Sequence, residues 1–220
     1  MMAGRVTDIK AQKRSTQRVN VYLDGEYAFS VNLLTAASLG QGDVLSDEEI
    51  VDLMRRDSVN AAHDRALNFL AYRPRSTLEV RRYLTDKGFS PDVAEEVVDR
   101  LSGASLLDDP GFARYWVENR ETFRPRAALL LRQELRQKGI AEAVIDDALE
   151  GTDDERSAYE AGVRQATRYD HLDDEAFKEK MHGFLRRRGF DYEVIRETVS
   201  RLLLQRGGDG SPNGDSSWLE

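Results

Sequence analysis

The side chains in this sequence best suited to chemistry are guanidinium groups set out in pairs. "YRPRS" at residues 72–76 and "FRPRA" at residues 123–127 each place an aromatic before Arg-Pro-Arg, 51 positions apart. Arg73, Arg75, Arg124 and Arg126 each offer a planar fork of donors that matches a carboxylate or a phosphate. That is the chemistry of recognition rather than of catalysis. Arg81, Arg82 and Lys87 follow the first pair, and Arg132, Arg136 and Lys138 follow the second. The catalytic inventory is thin by comparison: the sequence holds no Walker loop, no HExxH and no GxSxG elbow, and His63, His171 and His182 stand isolated. Without cysteine there is no thiolate nucleophile, thiolate zinc site or disulfide. The acid pairs Asp108–Asp109 and Asp173–Asp174 each open a predicted helix, where capping and the helix dipole account for them. No catalytic residue, metal ligand or cofactor is expected.

The elements that position these cations follow from an internal period. "LTDKGF", "LRQKGI" and "LRRRGF" place Gly88, Gly139 and Gly189 at spacings of 51 and 50 residues. Leu84, Leu135 and Leu185 stand four before each glycine; Lys87, Lys138 and Arg188 one before; Phe89, Ile140 and Phe190 one after. Val93, Val144 and Val194, then Ala94, Ile145 and Ile195, extend the agreement to five columns. The glycine suits a helix C-cap at positive φ, the preceding cation suits the negative end of the dipole, and the following apolar residue can fold back on the last turn. Each unit thus contains helix, glycine turn, helix, and a third helix precedes each pair. In the first unit that helix is predicted over about 58–72; in the second, Asp109 is read as N-cap with Pro110 at the first helical position. Such a unit buries little surface alone, so the units are expected to stack.

Pro74 and Pro125 end the first helix of their units. Ser76 with Glu79 reads as a capping box that starts the next helix, leaving Arg73, Arg75, Arg124 and Arg126 in exposed turns near helix N-termini. Cations are not favoured at that end of the dipole, so local helix stability gives no reason for them. Arg81 and Arg132 lie seven before the turn glycine and Arg136 and Arg186 three before it, on one helical face. Two readings of that strip stand side by side: a solvated face with pairs such as Glu134 to Lys138, and a contact surface presented twice. The third connector, "YDHLDDEAF", has acids where the other two have arginines.

The N-terminal residues differ in kind. "RVTDIKAQ", "QRVNVYLDG" and "EYAFSV" alternate apolar residues, and Asp24-Gly25 is a two-residue hairpin signal, so about three antiparallel strands are predicted. "SDEE" at 46–49 is a capping box opening the helical part. The expected fold is mainly α: three tandem three-helix repeats in an elongated curved stack, with a small N-terminal antiparallel β segment. The boundaries read as 1–45 for the β segment, 46–57 for a linking helix, 58–104, 105–151 and 152–206 for the three repeats, and 207–220 for a disordered tail carrying Trp218. A net charge of -8 argues against indiscriminate duplex binding yet leaves room for a cationic stripe. No run approaches the roughly 18 apolar residues of a spanning helix, and no membrane association is expected.

"ALNFLAYRPRSTLEVRRYLTDKGF", followed by "LLDDPGFARYWVENR" and "LLLRQELRQKGI", resembles the RecX regulatory proteins, which are built of tandem three-helix repeats. The one departure is "FRPRAALLLRQEL", where other members tend to have a glycine near the start of the connector. The resemblance implies a modulator of the RecA recombinase that binds along the filament on single-stranded DNA and damps ATP hydrolysis, strand exchange and filament growth. It also implies a role in DNA repair, recombination and the SOS response, in the cytoplasm, and a monomer is expected. The ten cations named above are then the expected contacts with partner or DNA, weak direct DNA binding included. The competing reading is a helical-repeat adaptor for another protein, with no recombinase or nucleic-acid role.

Overall fold

The structure, a computed structural model, describes residues 3–13 and 15–208. The expected tail from 209 onward, with Trp218, lies outside the described residues. Two compact units divide the chain, one ending at Asp108 and the other beginning at Asp109.

In the first unit, strands β1 (Gly4–Gln12), β2 (Ser15–Leu23) and β3 (Glu26–Asn32) form an antiparallel meander, and a two-residue strand β4 (Val44–Leu45) adds to the far side of β1. The fourth strand is an addition to the three expected, too short to show alternation. Asp24 and Gly25 take φ of 50° and 88°, the left-handed pair that a tight hairpin between β2 and β3 requires. A one-turn helix α1 (Leu33–Ala36), capped by Asn32, leads on to β4.

Helix α2 (Asp47–Leu70) starts at the expected capping box of Ser46 and Glu49. It runs unbroken where the sequence suggests a linking helix and then a separate helix from 58, because no glycine or proline interrupts residues 47–70. One end of it serves each of two cores. Ile50 and Leu53 pack with Val6, Val21, Phe29 and Val31 of the sheet. Val59, Ala62 and Ala66 pack with Val80 and Leu84 of α3 (Thr77–Asp86) and with Val97 and Leu101 of α4 (Pro91–Gly103). At about 1.5–3 kcal/mol for each large side chain fully buried, both ends are held independently. Buried Asp57 marks the seam, accepting from the Asn32 N–H and pairing with Arg18 at 3.2 Å, which ties the sheet to the helix.

The second unit holds two three-helix bundles. Phe112, Ala113 and Val117 of α5 (Asp109–Phe123) pack on Leu131 and Leu135 of α6 (Ala128–Gln137) and on Ile145 and Leu149 of α7 (Glu142–Leu149). Asp109 is the first helical residue of α5 rather than its cap, a one-residue shift of the kind helix ends commonly show. The other bundle packs Ala158 and Ala161 of α8 (Asp154–Tyr169), Phe177, Met181 and Leu185 of α9 (Asp174–Arg186), and Ile195, Val199 and Leu202 of α10 (Tyr192–Gly208).

The glycine columns do what their spacing demands. Gly88, Gly139 and Gly189 take φ of 89°, 79° and 88°. The Phe89 and Ile140 N–H groups donate to the Leu84 and Leu135 carbonyls at 3.2 and 3.1 Å, so two of the repeated apolar columns are the two ends of one Schellman bond.

Candidate partner-binding surface

The first connector leaves α2 at Tyr72, which is 86% exposed, and enters α3 at the Ser76 and Glu79 capping box. Arg73 donates both terminal nitrogens to the Glu79 carboxylate at 3.1 and 3.0 Å while the Ser76 N–H donates to the same group. Dipole reasoning assigns Arg73 no local role; the structure corrects this, because the guanidinium holds the capping carboxylate in place. Nor is Arg75 a freely exposed side chain: its guanidinium lies 3.8 Å from the centre of the Phe69 ring, and Phe69 stacks on Tyr83 at 4.1 Å. Lys87 sits over the other aromatic, 5.6 Å from the Tyr83 centroid. Arg81 forms a two-pronged pair with Glu95 of α4, whose carboxyl is held below its usual range by that hydrogen bond. Arg82 is exposed.

The second connector repeats this with different parts. Glu134 of α6 gathers the Trp116 indole N–H at 2.7 Å, Arg120 at 2.8 Å and Arg126. Arg126 therefore also has a local structural partner, and Lys138 caps the aromatic surface 4.3 Å from Trp116. Arg132 reaches Glu142 and Asp146, and Arg136 reaches Glu142, all on α7. Glu142 is held at about 2, well below the ordinary 4.5, chiefly by the hydrogen bonds from Arg136 and then Arg132. The strip is thus laced to acids of the next helix, a cross-helix pairing that periodicity along one helix does not show. Arg124 is exposed, and so is Phe123, at 71%. The two connectors present the same outward feature: a bare aromatic ring beside guanidinium groups.

They differ at the helix cap. Ala127 stands where the first connector has Ser76 and provides no side-chain cap. Asp154 of α8 supplies it instead, accepting from the Ala128 N–H at 2.8 Å, with its carboxyl raised above the ordinary range by burial and then by Asp191 and Asp153. Ala127 is buried in the core of the last bundle, and its N–H donates to the Arg188 carbonyl at 3.0 Å. Arg188 in turn donates to the Pro125 carbonyl at 2.8 Å, and Arg164 donates to the Thr122 carbonyl. The Arg-Pro turn of the second connector is therefore clamped by the bundle that follows it. The third connector is gripped from α10, where Arg206 donates to the Tyr169, Asp170 and Leu172 carbonyls. Asp173 there caps α9, which gives its acids a structural reason.

One feature is only faintly marked in the sequence. A cleft of about 500 Å³ opens between the second connector and the last bundle, lined by Arg124, Arg126, Arg164, Arg168, Arg187 and Arg188. Phe123 and Phe184 complete its aromatic part, and Arg188 lies 4.5 Å over the Phe184 ring. Burial, and then the charges of Arg126, Arg124 and Arg164, lower the Arg188 pKa. The available signals were Arg164 and Arg168, four apart on α8, and the run Arg186-Arg187-Arg188, which reads on its own as a helix C-terminus. No group of His, Asp or Glu able to hold a metal occurs among the described residues, and no described helix is long and apolar enough to cross a membrane.

Comparison with known proteins agrees with this architecture part by part. The model of the regulatory protein RecX N-terminal domain matches residues 4–46, and those of the first, second and third RecX three-helix domains match 62–101, 108–149 and 153–199. The regulatory protein RecX of Bacillus subtilis (strain 168) is 34% identical over 209 residues, covering 93% of this chain and 79% of its own. That of Lactobacillus johnsonii is 34% identical over 206 residues, covering 91% and 75%. A crystal structure of regulatory protein RecX superposes with a TM-score of 0.63 at 29% identity, over 90% of this chain and 99% of that one.

Proposed function

Because this chain belongs to the RecX family of regulatory proteins, we propose that it binds the RecA recombinase filament on single-stranded DNA and restrains ATP hydrolysis, strand exchange and filament growth. It acts by binding, without catalysis or cofactor, as a cytoplasmic monomer serving recombination, DNA repair and the SOS response. The observation that carries the reading is the duplicated connector surface. Tyr72 and Phe123, at equivalent positions, are 86% and 71% exposed beside arginines, so the same pairing of ring and guanidinium is presented twice. Arg73, Arg75, Arg81, Arg82, Lys87, Arg124, Arg126, Arg132, Arg136 and Lys138 lie in these connectors or along α3 and α6 and their C-terminal caps, and arginine with aromatic residues is the composition of binding hot spots.

The internal pairs divide these residues into two groups. Arg73 and Arg126 hold Glu79 and Glu134, so reversing their charge disturbs the fold as well as any interface. Tyr72, Arg82, Phe123 and Arg124 are exposed and can be changed with the fold intact. The test is RecA ATP hydrolysis on single-stranded DNA with this protein below stoichiometry. Inhibition by the parent chain, weakened at least about tenfold by Tyr72→Ala with Phe123→Ala and Arg124→Glu, is expected for three hot-spot positions. Unchanged hydrolysis and unchanged filament length with the parent chain would leave the helical-adaptor reading in its place.

A further inference from the structure

We infer that the arginine-lined cleft of the second unit is a binding site for single-stranded nucleic acid, taking the phosphodiester backbone on its guanidinium groups and an unstacked base on Phe123. Six arginines converge there in a chain of net charge -8, and no carboxylate is among the residues that line the cleft. Local pairing does not explain the convergence. Arg126 is neutralised by Glu134, and Arg164 lies 3.6 Å from Glu160, but Arg124, Arg168 and Arg187 have no ion pair among the described residues. Their mutual repulsion is a standing cost that a bound polyanion removes. Arg187 lies folded back over Gly183, whose missing side chain leaves room for the guanidinium: a β-carbon there would stand 3.3 Å from Arg187 Nη1.

The aromatic groups decide the class of polyanion. Six guanidinium groups set beside an exposed ring, Phe123 at 71%, form the pattern that a single strand reads as one unit. A single strand uses both, since cationic grooves interleaved with aromatic platforms track a backbone while stacking its bases. Gln165, also in the lining, brings an amide able to donate and accept at a base edge. About 500 Å³ falls within the usual range of ligand sites, roughly 300–1,000 Å³. The inference requires no recombinase, so its failure leaves the modulator reading standing, and failure of the modulator reading leaves the cleft to be judged on its own.

The experiment is fluorescence anisotropy of a labelled oligothymidylate with the full chain and no RecA. Binding that weakens steeply with salt is expected, with the slope of log affinity against log salt shallower by about 0.7 for each phosphate-contacting arginine removed. Arg124→Ala with Arg168→Ala should weaken binding at low salt by at least about tenfold, and Phe123→Ala should do so by a similar factor through lost stacking. Arg168→Lys, which keeps the charge, should retain most of the affinity and exclude a general loss of fold. Equal binding by the parent and the double alanine variant overturns the site. Displacement of the strand by polyglutamate at equal charge, with Phe123→Ala silent, overturns it in favour of an acidic protein, and displacement by ATP at equal phosphate concentration overturns it in favour of a free nucleotide.

Discussion

Glu134→Gln isolates what the structure adds to the second connector. The glutamine keeps the shape and one acceptor oxygen but removes the charge shared by Arg120, Arg126 and the Trp116 N–H. A hydrogen bond to a charged group contributes about 1.5–3 kcal/mol against about 0.5–1.5 for a neutral one, so each guanidinium contact weakens by roughly 1 kcal/mol. The Glu134, Arg120 and Arg126 side chains are 13%, 21% and 31% exposed, so solvent screens the contacts only in part. A net loss of about 2 kcal/mol follows, or about 4–8 °C in Tm if the chain melts as one cooperative body of this size. Glu134→Ala should cost more, about 3 kcal/mol, because two guanidinium groups then lose any acceptor. The control is Glu193→Gln, which breaks an ion pair with Arg196 whose side chains are 68% and 61% exposed; its effect should stay within about 0.5 kcal/mol. Calorimetry or urea titration reads all three. If Glu134→Gln melts within about 2 °C of the parent, as the control should, the carboxylate does not organise this connector in solution and the reasoning fails.

Two further outcomes can be checked on the same footing. Gly88→Ala should cost about 1–2 kcal/mol from backbone strain alone, since nothing lies within 4 Å of an added β-carbon, whereas at Gly189 that carbon would meet Leu130 Cβ at 3.0 Å and roughly double the loss; equal urea midpoints for the two variants would deny the close approach of this turn to α6. Glu142 is held at about 2 against an ordinary 4.5, so its stabilisation is present above about 4.5 and is lost as pH falls towards about 2. Acid unfolding of Glu142→Gln should therefore be flatter than the parent's across that window, and identical slopes would mean that the pairs with Arg132 and Arg136 are not formed.

What the sequence made legible was whatever a single position or a short segment determines. The three turn glycines stood out because a left-handed backbone excludes nearly every other residue. The Ser46 and Ser76 boxes were equally plain, since each closes its hydrogen bonds within four residues, and Asp24-Gly25 was plain because both residues take a left-handed backbone. The continuity of α2 was missed because the repeat suggested a boundary at 58 that no breaker residue enforces. The roles of Arg73 and Arg126 were missed for a different reason. They depend on where a carboxylate six or eight residues ahead points, and helix dipole reasoning alone assigns the cations no place there. The cleft was the least visible of all, because its arginines come from three separate stretches around residues 124, 164 and 187 and meet only through packing. The ten cations chosen from the repeat include only two of its six arginines, Arg124 and Arg126.

The cap that Asp154 gives to Ala128 changes what kind of object the repeat is. A ribosome delivers α6 before it delivers α8, so the first turn of α6 emerges with a donor whose acceptor has not yet been made. Only when Asp154, and later Arg188, leave the exit tunnel can the Arg-Pro turn be fixed from both sides. The second bundle is therefore finished by its successor, and a chain cut after α7 would carry the right helices with a loosened joint. The even spacing of the glycines suggests interchangeable units, but bundles that complete one another in this way cannot be shuffled or trimmed as independent pieces.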